Sequence, residues 1–181
     1  LEQGFDAEMS FIISSLPALK KRILTSATVA VEIPDFVGLK NPVEINSLTG
    51  EKSEALAVQM VRSPDADKLK TLFKLICTLG NRSTIVFCNQ REFVEQVSQF
   101  LKDKGIVNVF YHGAMEQQER DIALCKFRNG SSNLLVTTDL AARGLDIPNI
   151  RYIVHYQLPT SQESFIHRNG RTARMEASGT A

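Results

Sequence analysis

At 181 residues the chain has room for one domain, or for one domain and part of another, and its 43% apolar share is enough for a core. A formal charge of +1 excludes a bulk polycation, so any nucleic-acid surface must be local. Cys77, Cys88 and Cys125 form no CxxC pair and stand in apolar contexts, which predicts buried free thiols in a reducing compartment rather than disulfides or a zinc site, and no bilayer-length apolar run or signal-peptide pattern is present.

Phe5, Met9, Ile12, Ile13 and Leu16 fall on one helical stripe that Pro17 ends, and ordinary core packing is expected for all five. Arg22 to Thr28 reads as a strand running out into the small triplet Ser26-Ala27-Thr28. One helix, one strand and the connector around Val43-Glu44-Ile45 cannot bury a core of their own. The polar, turn-rich stretch 46–54 has the composition of a linker and marks a domain boundary.

Beyond it strands and helices alternate. Leu56, Val58 and Met60 alternate with Ala57 and Gln59 as in a half-buried strand. A helix is expected from about Asp65, with Leu69, Leu72, Phe73 and Ile76 on one face and Gly80 past its end. Strand 83–88, helix 91–104, strand 106–111, helix 116–128, strand 133–137, strand 151–155 and a helix from Ser161 follow. The spacing of Thr160 and Glu163 suits a capping box for that last helix, and Gly170 is expected to stop it in a left-handed conformation. Strands separated by single helices predict an α/β fold: a parallel sheet flanked by helices on both faces, binding ligands at the carboxyl ends of its strands.

The unusual stretches fall at those ends. His167 to Arg174 packs three arginines and a histidine into eight residues, and Arg171 and Arg174 leave on a turn. Their planar forks match phosphate oxygens, although a solvated basic turn would read the same way. In the run 138–148, Gly144 suits a positive φ and Asp146 could accept from ribose hydroxyls or cap a turn. Gly113 leads a helix start suited to phosphate, with Gln117 and Arg120 on one face; for Arg120 a surface pair with Glu116 competes. Asn89 reads first as a helix N-cap.

Ser26-Ala27-Thr28, Phe87-Cys88-Asn89, His-Gly-x-Met-x-Gln-x-x-Arg at 112–120, Thr-Thr-Asp-Leu-Ala-Ala-Arg-Gly-Leu-Asp at 137–146 and His-Arg-x-Gly-Arg-Thr-x-Arg at 167–174 stand in the order found in DEAD-box RNA helicases. The chain resembles that family over nearly its whole length, departing from its commonest form at Asn169, where an aliphatic residue is frequent, and at Ala173, where glycine is. The resemblance implies a RecA-like helicase C-terminal domain at 55–181, shortened at its end, a linker at 46–54, and the tail of a first RecA-like domain at 1–45. With no initiator methionine, the chain reads as a fragment.

It further implies ATP and RNA as ligands, and the first RecA-like domain of the same protein as a partner. Arg171 and Arg174 would contact the γ-phosphate, Gly144 and Asp146 the ribose, and His167 with Ser26, Ala27 and Thr28 would couple hydrolysis to domain closure. Gly113, Gln117, Arg120, Thr138 and Asn89 would hold RNA. The phosphate loop and the Asp-Glu-Ala-Asp segment that holds Mg²⁺ are missing from this sequence, so this chain alone is expected to be inactive. A cytoplasmic location is expected, with the nucleus left open. A scaffold domain without turnover and a DNA-directed helicase are the rival readings.

Overall fold

The computed structural model describes residues 5–25, 33–39, 41–45, 56–64, 66–142, 147, 150–172 and 179–181. They belong to two compact units, Leu1–Lys52 and Ser53–Ala181. In the first, helix α1 (Asp6–Ser14) is followed by a 3-10 turn at Asp35–Val37, and the Arg22 guanidinium donates to the Gly38 carbonyl at 2.9 Å. The expected core stripe is not buried: Phe5, Ile12 and Leu16 are exposed and Met9 and Ile13 half-buried. Nor do residues 22–25 form a strand, because no described strand of this unit offers them a hydrogen-bonding edge. Ser26, Ala27, Thr28 and the stretch 46–54 lie outside the described residues.

The second unit holds six parallel strands in the order β1-β6-β5-β2-β4-β3: β1 (Leu56–Ala57), β2 (Thr84–Cys88), β3 (Val109–Tyr111), β4 (Leu134–Thr138), β5 (Tyr152–His155) and β6 (Gly179–Thr180). The helices between them are α2 (Lys68–Leu79), α3 (Arg91–Asp103), α4 (Gln117–Arg128), α5 (Asp139–Ala142) and α6 (Gln162–Asn169). Every residue of β2 is buried, as a central parallel strand with both faces covered requires. Its alternation divides the core in two. Val86 and Cys88 face Leu72 and Ile76 of α2 and Val94, Val97 and Leu101 of α3. Ile85 and Phe87 face the side closed by Phe127, Ala142, Ile147 and Ile150.

The α/β architecture with helices on both faces is the one the alternation predicts, while several boundaries differ. β1 is two residues long, and Val58 and Met60 are exposed rather than half-buried, because only Ala57 and Gln59 bond to the C-terminal residue Ala181 beside them. α2 starts at Lys68, where the Asp67 carboxylate caps the Leu69 N–H at 3.1 Å. Ser161, not Thr160, caps α6, its hydroxyl accepting from the Ser164 N–H at 3.1 Å. Gly170 follows α6 at φ −64°, so no left-handed residue stops that helix. Its N–H still closes a helical bond to Ile166 at 2.8 Å.

The register fixes the functional edge. Cys88 pairs with Thr138, Phe87 with both Thr137 and His155, and Tyr111 with Thr137. The chain therefore leaves β2, β3, β4 and β5 at one level, through Asn89, His112, Asp139 and Tyr156.

Candidate functional site at the strand carboxyl ends

Arg168 is the organising side chain, only 1% exposed on the last turn of α6. Its guanidinium uses every nitrogen. Nε and one terminal nitrogen bind the two oxygens of Asp139, the latter at 2.7 Å, in a bidentate pair. The same terminal nitrogen donates to Asn89 Oδ1 at 2.7 Å, and the other to the Gln157 carbonyl at 2.6 Å. The guanidinium also lies over the Phe87 ring, 5.2 Å from its centroid. One arginine thus ties α6 to the exits of β2, β4 and β5.

Asn89 completes the cluster from its other side. Its backbone N–H donates to Gln157 Oε1 at 2.9 Å and its amide to the Leu158 carbonyl at 3.0 Å. It is therefore not the N-cap of α3; Gln90 holds that place, without a side-chain bond. Its Oδ1 and amide nitrogen are each engaged by protein, which leaves its outward contribution to an exposed edge. Of the three thiols expected to be buried only Cys88, one residue earlier, is; Cys77 and Cys125 lie on exposed helix faces. Burial pushes the Cys88 thiol up to about 12, against a smaller opposing pull from Arg168, and it stays protonated at neutral pH.

A small, shallow cleft opens beside the cluster, lined by Phe87, Asp139, Ala142, Ser164, His167, Arg168 and Arg171. His167 Nδ1 stands 3.8 Å from Glu163 Oε1, one helical turn earlier. Arg171 is half-buried, its N–H donating to the Arg168 carbonyl at 3.1 Å, so the turn that carries it starts from the pinned residue. Thr172 closes the turn: its N–H donates to Asn169 and its hydroxyl to the Ile150 carbonyl. Arg174, Gly144 and Asp146 lie outside the described residues.

The second part of the edge is the β3–α4 loop, beside β4. Gly113 is exposed, and Thr138 is half-buried at the end of β4. Gln117 donates to Asp121 Oδ1 at 2.7 Å on the surface of α4. The Arg120–Glu116 pair does not form, because Glu116 caps α4: its carboxylate accepts from the Glu119 N–H, and the Glu119 carboxylate accepts from the Glu116 N–H at 3.2 Å. Arg120 is left with a buried Nε that meets no acceptor among the described residues. His112 is buried as well, its Nε2 3.0 Å from Glu95 Oε1 but outside hydrogen-bonding geometry, its Nδ1 without a partner among the described residues.

The structure thus brings His167 and Arg171 into one cleft, sets Gly113 on the β3–α4 loop with Gln117 and Arg120 on the first turn of α4, and draws Asn89 into the first group. Sequence reasoning missed the residues beneath the motifs: Arg168, Asp139, His155 and Gln157. The available signal was Asp139 opening the run after β4, and an arginine set between two others in the 167–174 cluster. Among the described residues no three His, Cys, Asp or Glu side chains converge as metal ligands, and no helix is long and apolar enough to cross a membrane.

The family model for the helicase conserved C-terminal domain matches residues 67–176. The chain belongs to that family. Its relatives place it among the DEAD-box proteins. It is 35% identical to the ATP-dependent RNA helicase FAL1 of Mycosarcoma maydis, with all of this chain and 47% of that protein aligned. With DEAD-box ATP-dependent RNA helicase 49 of Arabidopsis thaliana the identity is 37%, over all of this chain and 34% of the relative. Among solved structures, S. cerevisiae Dbp5 bound to RNA and ADP BeF3 superposes with a TM-score of 0.80 at 30% identity, over 99% of this chain and 48% of that one. E. coli SrmB, bound to regulator of ribonuclease activity A, gives 0.62 at 34% identity, over 72% and 76%. The RecA-like fold and the helicase C-terminal assignment stand on these matches. The chain spans between a third and a half of these curated relatives' length.

Proposed function

We propose that the full-length protein hydrolyses ATP to separate or remodel RNA duplexes, and that this chain supplies the arginine finger, the ribose contact and half of the RNA surface. The observation that carries this is the cleft beside Arg168. It places His167 and Arg171 next to a guanidinium that protein acceptors already hold, so Arg171 stands on a turn whose first residue is fixed. Preorganised donors contribute most where charge develops on a transferring phosphoryl group.

In this reading Arg171 and Arg174 meet the γ-phosphate, with Arg174 the principal finger, and Gly144 and Asp146 meet the ribose. His167 and the triplet Ser26, Ala27, Thr28 couple hydrolysis to closure of the first RecA-like domain, whose tail is residues 1–45, joined by the linker 46–54. Gly113, Gln117, Arg120, Thr138 and the outer edge of Asn89 hold RNA sugars and phosphates, contacts that give affinity without base preference. Mg²⁺ finds no ligand set among the described residues, so no step here runs through it.

The test is Arg174→Lys in the full-length protein, with kcat, ATP Kd and RNA Kd measured at one salt concentration. Lysine keeps the charge but cannot present two parallel N–H groups. Loss of an arginine finger costs on the order of 10³ to 10⁵ in rate, and lysine should recover only part of it. Both affinities should stay near wild type. Unchanged kcat with weakened RNA binding would place Arg174 on the RNA surface and defeat the assignment.

A further inference from the structure

Asn169 is 6% exposed, lies between Arg168 and Arg171 in sequence, and is one of two positions where this chain departs from the commonest family pattern. Its Oδ1 stands 2.9 Å from Nε2 of His155, the last residue of β5. The other ring nitrogen, Nδ1, faces the Arg168 guanidinium at 3.4 Å. Phe165 stacks on the imidazole at 5.1 Å and 17°, with Phe87 at 6.4 Å on its own ring contact, so the plane of the ring is set by packing.

An arginine can only donate, so the nitrogen it faces must be the acceptor of a neutral imidazole. The proton then sits on Nε2 and points at Asn169. We propose that Asn169 is a positioning residue: by accepting from His155 Nε2–H it anchors the ring whose Nδ1 receives the Arg168 guanidinium, and so holds the turn that carries Arg171. This rests on the reading of Arg171 as a phosphate-contacting group. An aliphatic side chain at 169 would fill the space but leave the Nε2 proton buried without an acceptor. Arg168 would still require Nδ1 to accept, so the ring would keep its tautomer, carry an unpaired Nε2–H and lose the contact that holds it in place. The charged groups that face His155 are Arg168 and Asp139, the first opposing a proton on the ring and the second favouring it.

The experiment uses the full-length protein, with ¹⁵N-labelled histidine and the His155 signal identified by its loss in His155→Phe. In wild type at neutral pH the imidazole shifts should report the Nε2–H form. In Asn169→Leu the ring should stay Nε2–H while its Nε2 proton signal moves upfield and exchanges faster with water as the hydrogen bond is lost. RNA-stimulated kcat should fall roughly ten- to hundredfold with the KM for ATP within about threefold, since misplacement of a preorganised group acts on the transition state. Asn169→Asp keeps an acceptor at the same place but favours the imidazolium. It should regain turnover at high pH and lose it on acidification at a higher pH than wild type does, a response that a merely structural role would not produce. A wild-type tautomer of Nδ1–H, or an Asn169→Leu protein that keeps both the Nε2 proton signal and kcat, would overturn the proposal. Absence of turnover in wild type would instead defeat the ATPase reading, and the imidazole signals would still decide whether Asn169 orients the cluster.

Discussion

Two arginine-and-histidine pairs stand at the carboxyl edge of the sheet, one beyond β5 and one beyond β3, and their hydrogen bonds are accounted for in opposite ways. Around α6, Arg168 and His155 have all five nitrogens engaged by protein atoms. Around the β3–α4 loop and the first turn of α4, Arg120 keeps a buried Nε and His112 both ring nitrogens without a hydrogen-bond partner among the described residues. A buried polar group without a partner costs about 1–3 kcal/mol, so the first pair stabilises the fold and the second detracts from it. In the proposed reading the first arrangement holds a phosphate-contacting turn rigid before its ligand arrives, and the second would receive its missing acceptors from RNA phosphates.

Removing the two arginines sharpens that contrast most. Arg168→Ala leaves the Asp139 carboxylate, 29% exposed, without its bidentate partner and frees the exits of β2 and β5 at once. Breaking one side of a buried pair costs about 3–5 kcal/mol, and the partial exposure of Asp139 argues for the lower end. Urea unfolding should show a loss of about 3 kcal/mol with little change in slope. A loss below about 0.5 kcal/mol, the range of an ordinary surface change, would mean that the cluster does not hold the strand ends together.

Arg120→Gln should behave in the opposite way. No described protein acceptor is lost with it and an unpartnered buried Nε is removed, so stability should not fall and should rise by up to about 1–3 kcal/mol. RNA affinity should fall by about 1–2 kcal/mol, and the slope of log K against log salt should shrink by close to one unit, as expected for one lost phosphate contact. Binding isotherms at three salt concentrations beside an unfolding curve decide this. If Arg120→Gln unfolds the protein as readily as Arg168→Ala, the two regions do not differ in the way described.

The sheet was legible because its signals are local. The buried β-branched run of β2 and the glycines closing α2 and α3, at φ 70° for Gly80 and 78° for Gly105, each announce an element within a few residues. What lay between elements was less legible. Asn89 carries the composition of an N-cap, and only the arrival of Arg168, 79 positions later, turns its side chain away from α3. Arg168 itself sits between residues that reach outward, and nothing in the eight-residue run says which arginine is buried. Glu116 was read as a partner for Arg120 because the spacing fits, yet the backbone donors at the start of α4 compete for the same carboxylate and win. The stripe of α1 failed for a different reason: helical periodicity identifies an apolar face, but burial needs a second surface, which the described residues of that unit do not supply.

The smallest expected effect is a pH dependence of stability that belongs to the first pair alone. His155 has its pKa held below the ordinary imidazole value, chiefly by burial; the Asn169 hydrogen bond opposes the shift, Arg168 adds to it and Asp139 opposes it. In the unfolded chain the same imidazole titrates near 6.5. As the pH falls through about 6.5, the unfolded state therefore takes up a proton that the folded state refuses, and stability must fall. The loss continues until the lowered folded-state pKa is reached and adds nothing below it. Above about pH 7.5 both states are neutral at this ring and the contribution is flat. His155→Phe keeps the stack between Phe87 and Phe165 while removing the titration, so it isolates the ring from the carboxylates that titrate at lower pH. Unfolding midpoints for wild type and His155→Phe between about pH 7.5 and pH 5.5 should diverge on acidification, with wild type losing more. Parallel curves would mean that the folded ring accepts its proton as readily as the unfolded one. The Arg168 cluster would then be as open to exchange with solvent as the loop it has been set against.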